Sequence, residues 1–204
     1  VESNYGTIRS CDVYGSVTGD YFVGGIAAVN MGTIEDCNNH ASVTSLETGE
    51  AYEAKYDGRP GYGAGGIAGT CGVDGGEEKG AEVCGITGCC NYGDVTAEVY
   101  TGGIVAWLDD RTVGGASAGS VQELVQYEDF TTPSEEEAYE GRERESEGAA
   151  LHYSLMNCTN YGTVTVNQRK DPRTFWYTKS AGICAELQHG YIYRCVNRGK
   201  IRFA

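Results

Sequence analysis

The chain has 204 residues and a formal net charge of −14, with 31 glycines but only 3 prolines. This acidity excludes the basic face that nucleic-acid phosphates require, and no apolar run approaches the roughly 18–20 residues of a membrane-spanning helix. Abundant glycine without proline predicts repeated tight turns between packed strands rather than a flexible linker.

The first residues, Val1-Glu2-Ser3-Asn4, are neither a start methionine nor a basic leader, so the sequence reads as a piece of a longer or processed protein. The first strand-like element runs from Thr7 to Val17. It pairs an aliphatic residue, Ile8, with Cys11 three positions on and Val17 six positions after that. A second element follows, Val23-Gly24-Gly25-Ile26-Ala27, and then the first returns as Thr33 to Val43. The undisturbed period, Ile8 to Ile34, is 26 residues. Such self-similarity has to be weighed before any local reading.

Further copies of the first element span Gly85 to Val95, Ser154 to Val164 and Tyr191 to Ile201. Their aliphatic and cysteine pairs are Ile34/Cys37, Ile86/Cys89, Leu155/Cys158 and Ile192/Cys195. The second element recurs around Ile67, Ile104 and Ile183. Three strand-like segments fit one period, with no room for an amphipathic helix. One such coil cannot bury its inner side chains alone, but a stack of them can. The sequence therefore predicts an all-β fold: a parallel β-helix of about four and a half three-strand coils, forming a single domain over residues 1–204. Its interior is expected to hold ladders of isoleucine (Ile8, Ile34, Ile86, Leu155, Ile192), cysteine (Cys11, Cys37, Cys89, Cys158, Cys195), valine, and a second isoleucine row (Ile26, Ile67, Ile104, Ile183). Asn39, Asn91, Asn160 and Asn197 stand two residues after their cysteines and are expected to bond along the axis. Gly15, Gly93, Gly162 and Gly199, two residues further, suggest a turn at positive φ.

Spacing between these landmarks locates four insertions, near 44–62, 70–84, 109–153 and 165–179, all at corners flanking the Gly-Gly-Ile strand. The corner from the aliphatic residue to the valine never changes length. Insertions gathered on one side of a repeat protein often mark its binding side, and these are expected to fold back over the Gly-Gly-Ile face; tolerated drift of surface loops is the plainer reading. The longest insertion carries ten acidic residues and two arginines between Glu123 and Glu147 and reads as solvated.

The string Asn-x-Gly-Thr-Ile-x-x-Cys-x-Asn-x-Gly-x-Val followed by Val-Gly-Gly-Ile-Ala-Ala resembles the GLUG-type repeats of bacterial cell-surface proteins, which also occur beside the catalytic region of some immunoglobulin A-cleaving metallopeptidases. The resemblance covers the repeat cores and not the insertions. It implies a secreted or wall-attached bacterial protein with an adhesive or scaffolding use, further domains in the same polypeptide, and an unknown host or matrix protein or glycan as partner. An accessory, non-catalytic region of a secreted hydrolase is the alternative. No catalytic residue and no cofactor is implied.

The side chains themselves give few chemical signals. His40, His152 and His189 are isolated in the sequence, and no His-Glu-x-x-His motif occurs. Cys84, Cys89 and Cys90 lack zinc-finger spacing. Asp74 to Glu78 and Asp109-Asp110 match no calcium loop. Two outward rows, Arg9/Glu35/Thr87/Met156/Tyr193 and Ser10/Asp36/Gly88/Asn157/Arg194, bring no carboxylates together, which speaks against a glycan-cleaving face. The five ladder cysteines read as buried thiols, with pairing between rungs left open. Cys71 and Cys84 bracket an insertion, as a loop-closing disulfide would. Tyr14, Tyr92 and Tyr161 share one repeat turn and are the candidate ligand-binding residues, for a sugar ring or a protein; covering the neighbouring rung is their structural alternative.

Overall fold

The chain was analysed as a computed structural model, which describes residues 1–46, 63–72, 84–110, 153–167 and 179–204. All regular structure in these residues is β, and every strand pairing is parallel. The chain winds through five coils, and the strands stack into five sheets, four of five strands and one of four. This is the parallel β-helix that the repeat predicts.

The three segments expected per coil resolve into five short strands. The second coil shows the pattern: Phe22–Gly24, Ala27–Asn30, Thr33–Glu35, Asn38–Asn39 and Ser42–Ser45. The extra division falls inside the Ile-x-x-Cys element, where a sharp bend separates Thr33–Glu35 from Asn38–Asn39. Its cause is a left-handed residue just before each cysteine. Ser10, Asp36, Asn157 and Arg194 have φ of 53°, 51°, 54° and 50°, and Gly88 has φ of 65°. Side chains disfavour this conformation, so its recurrence marks a bend imposed by the coil.

The glycines expected at positive φ behave differently. Only Gly15 does so, at φ 98°. Gly93, Gly162 and Gly199 are required by close approach instead: an added Cβ would strike the carbonyl oxygens of Ala41, Gly93 and Gly162. The turn sits flush on the equivalent turn of the coil before it.

Register brings the expected ladders together. Ile8, Ile34, Ile86, Leu155 and Ile192 align across one sheet, and Val17, Val43, Val95, Val164 and Ile201 across another. In the second isoleucine row the amides of Ile26, Ile67 and Ile104 each donate to the isoleucine carbonyl of the next coil, at 2.9 Å. The ladder cysteines touch as well: the amides of Cys11 and Cys37 lie 3.4 Å from the sulfurs of Cys37 and Cys89.

Two apolar compartments result. The isoleucine rows and ladder cysteines form one, except that Ile192 and Cys11, expected inside, are exposed at the ends of the stack where no further coil covers them, while Val43 and Val95 pack with Val23, Ala64 and Ala97 in the other. The asparagine ladder lies between them. Asn39 Nδ2 donates to Asn91 Oδ1, Asn91 to Asn160 and Asn160 to Asn197, each at 2.8 Å. The same nitrogens also donate to the carbonyls of Ala41, Gly93, Gly162 and Gly199 at 2.8–3.1 Å. A primary amide has two N–H donors and an accepting oxygen, so each asparagine can bond along the row and to its own turn at once, which is how a polar stripe is tolerated at zero exposure for Asn39, Asn91 and Asn160.

The strands stop on either side of all four expected insertions, at Ser45 and Gly63, Cys71 and Gly85, Asp109 and Leu155, and Val166 and Lys179. The inserted chain itself, with the acidic stretch, the Asp74–Glu78 run and His152, lies outside the described residues, as does any fold-back over the Gly-Gly-Ile face.

Candidate functional site

An uninterrupted corner, between the asparagine and valine strands, carries the most regular exposed feature. Each ladder cysteine is followed by an asparagine-turn position, Val13 in the first coil, and then by an outward residue: Tyr14, His40, Tyr92, Tyr161 and Arg198. Register fixes these residues one above another, because the asparagine positions before them pair directly. Four of the five are rings, and they form a continuous column. Ring centroids are 4.7 Å apart from Tyr14 to His40, 4.7 Å from His40 to Tyr92 and 4.9 Å from Tyr92 to Tyr161, with planes within 5° of parallel. Strand spacing in a sheet is about 4.7–4.9 Å, so the rings inherit the rise of the coil.

The three tyrosines singled out by sequence are therefore brought together, and His40, isolated in the sequence, completes the set. Its signal was positional, as it stands three residues after Cys37 just as Tyr14 follows Cys11. The column is open to solvent: Tyr14 is 71% exposed and Tyr92 and Tyr161 are each 44% exposed. Stacking changes what it can bind. His40 and Tyr92 have both faces covered by neighbours, so a sugar ring cannot lie on them. What the column offers is a row of ring edges and tyrosine hydroxyls at a fixed step.

The Gly-Gly-Ile strands present a different surface. Phe22–Gly24, Gly63–Gly65 and Tyr100–Gly102 are buried at every position. Phe22 and Tyr100 point away from the side on which Val23 packs, yet they form a third apolar cluster with Val99, Ala106 and Trp107. Tyr100 meets Trp107 edge to face, with centroids 5.1 Å apart. Both faces of these three strands are thus shut from water, as their tiny and apolar residues suggest, while the fourth strand of the sheet, Lys179–Ala181, is half-buried.

A buried polar cluster occupies the corner beyond that sheet, where the chain leaves at Cys71 and Asp110 and returns at Cys84 and Tyr153. Ser154 Oγ donates to Asp110 Oδ2 at 2.6 Å and accepts from the Tyr191 amide at 3.2 Å, with Ser154 and Asp110 both fully buried. Gly190, at φ 120°, leaves room for that hydroxyl, since a Cβ there would lie 2.5 Å from it. His189 Nδ1 lies 2.6 Å from Asp109 Oδ1, its side chain 58% exposed over a carboxylate that is 6% exposed. The neighbouring Cys71 thiol, burial and Asp110 all push the Cys84 thiol up, so a thiolate nucleophile is disfavoured here. The Ser154 hydroxyl is bonded to Asp110 rather than to an imidazole, so the cluster lacks the serine–base contact of a hydrolytic triad. Sequence reasoning missed it because its partners lie 44 and 80 residues apart.

Among the described residues no group of three histidine, cysteine, aspartate or glutamate side chains is arranged to hold a metal ion. In the two outward rows Arg9 Nε donates to Glu35 Oε2 at 2.8 Å, and within neither row do carboxylates occupy neighbouring rungs.

The fold and these surfaces define a parallel β-helical repeat module with a ring-bearing corner. No family model, curated protein or solved structure matches the chain.

Proposed function

We propose that this chain is a repeat module of an extracellular bacterial surface protein, used for adhesion or scaffolding. The observation that carries the reading is the exposed ring column Tyr14–His40–Tyr92–Tyr161, on a corner that no insertion interrupts. A flat ladder of aromatic edges and hydroxyls, rigidly spaced by the backbone, suits contact with a protein surface or an extended glycan at little cost in side-chain ordering. The repeat pattern's likeness to GLUG-type sequences supports the surface location. The placement of all four insertions at corners flanking the Gly-Gly-Ile strand supports a second contact region on that side.

The test is binding of the chain to arrays of host glycans and matrix proteins, with Tyr14→Ser/Tyr92→Ser/Tyr161→Ser as the comparison. The expected result is a ligand held by the wild type and lost at least tenfold in the variant, roughly 1.4 kcal/mol. Equal binding by the two proteins would exclude the column as the contact. Recovery of the protein only from the cytosolic fraction of its source cell would exclude the surface reading altogether.

A further inference from the structure

We propose that Cys71 and Cys84 form a disulfide that clasps the base of the 73–83 insertion. The geometry comes from register. Cys71 pairs with Asn30, and Gly85 pairs with Thr33, so Cys84 falls opposite Gly32. Asn30 and Gly32 are two residues apart in an uninterrupted turn. Cys71 and Cys84, although 13 positions apart in sequence, therefore occupy the places of neighbours i and i+2. Two peptide units span at most about 7 Å, so the Cα separation falls in or close to the roughly 4.4–6.8 Å that a disulfide bridges. Asn30 confirms the closeness independently: its Nδ2 lies 3.4 Å from Cys71 Sγ and 3.3 Å from the carbonyl of Gly85, the residue after Cys84. Both cysteines are completely buried in the same cluster.

The ladder cysteines are placed differently. Each contacts the carbonyl two residues before it: Cys11 to Arg9, Cys37 to Glu35, Cys89 to Thr87, Cys158 to Met156 and Cys195 to Tyr193, at 3.2–3.5 Å. Their strands are held about 4.8 Å apart by the backbone ladder, wider than the roughly 3.8 Å between Cβ atoms that a disulfide needs. Cys71 and Cys84 lie across a corner rather than across a ladder, and no strand pairing holds their side chains apart.

Both thiols are inaccessible once the coil has closed, so oxidation belongs to folding. The oxidant is a disulfide, either a small molecule or an oxidoreductase. One cysteine thiolate attacks it and releases the first reduced thiol; the second cysteine then attacks the mixed disulfide, forming the Cys71–Cys84 bond and releasing the second. The two cysteine protons leave with the two released thiols. Two electrons pass from the cysteine pair to the oxidant.

The test is to refold the 204-residue chain from guanidinium in a buffer of reduced and oxidised glutathione, block free thiols with N-ethylmaleimide and digest it without reduction. The expected product is one linked peptide pair containing Cys71 and Cys84, two hydrogens lighter than its reduced form, with the other cysteines alkylated. Dithiothreitol should lower the melting temperature of the refolded protein by about 5–10 °C, from closure of a loop of this length, and should not affect Cys71→Ser/Cys84→Ser. Alkylation at every cysteine after oxidative refolding, or links between ladder cysteines, overturns the proposal. The peptide map is read on the wild type, so it stands even if the double variant fails to fold.

Discussion

Gly182 exists in the shape it does because of Asn197. The three nearest heavy atoms to a Cβ built on Gly182 all belong to Asn197, with Nδ2 at 2.5 Å and Cβ at 2.6 Å. The same relationship links Gly25 to Asn39, Gly66 to Asn91 and Gly103 to Asn160. The second glycine of each Gly-Gly-Ile motif is thus the seat of that coil's asparagine. Gly182→Ala is expected to cost about 1–3 kcal/mol through overpacking. In an Asn197→Gly background the same change should cost under about 1 kcal/mol, giving a coupling that urea titrations of the four proteins measure. Additive costs would show that the two positions are independent.

The asparagine row makes a second prediction, about position in the stack. Asn91 is fully buried, donating to Asn160 and accepting from Asn39. Asn91→Ala strands amide groups on both neighbours and is expected to cost about 2–4 kcal/mol. Asn197 accepts from Asn160 but is exposed at the last rung, so Asn197→Ala should cost about half as much or less. Guanidinium unfolding of the two variants gives the comparison.

The left-handed bend before each cysteine offers a test of opposite sign. Arg194 adopts it at φ 50° with its side chain exposed, so Arg194→Gly is expected to stabilise the chain by about 0.5–1 kcal/mol. Gly88 already satisfies the bend, and a Cβ there would also lie 2.5 Å from Asp36 Oδ1. Gly88→Ala should therefore cost about 1–2 kcal/mol. Melting temperatures moving in opposite directions would support this account of the bend.

Thiol chemistry should follow the ladder's end. A hydrogen bond from Cys158 lowers Cys195 to about 7, against the opposing effect of burial, whereas burial pushes Cys184 up to about 12. Limited iodoacetamide treatment at pH 8 is expected to label Cys195 well before Cys158 or Cys184, as read by peptide mass. Because folding lowers the Cys195 value from 9.0, its contribution to stability is complete above about pH 9 and fades as pH falls through 7. Cys195→Ser should flatten the melting curve's pH dependence in that window.

Much of this architecture is legible in the residues, and the reasons differ by feature. The Ile-x-x-Cys and Gly-Gly-Ile rows could be read because a parallel ladder demands the same side chain at every rung. The bend could not, since Ser10, Asp36, Gly88, Asn157 and Arg194 share a backbone conformation and no side-chain chemistry. His40 was hidden by comparing residue identity rather than ring shape. The Asp110–Ser154 and Asp109–His189 contacts are made once, across insertions, and repetition cannot announce a unique contact.

The winding has a mechanical consequence. Pulled by its two ends, a β-helix held by axial hydrogen bonds yields one coil at a time, and each coil releases the chain stored between equivalent positions. Those lengths are unequal: successive positions of the asparagine row, counted from Val13 through Asn39, Asn91, Asn160 and Asn197, are 26, 52, 69 and 37 residues apart. At about 3.4 Å per residue, the tether would pay out in steps of roughly 90, 180, 235 and 125 Å. The repeat that makes the fold uniform thus leaves it with a non-uniform extension, a signature a single-molecule force trace can record.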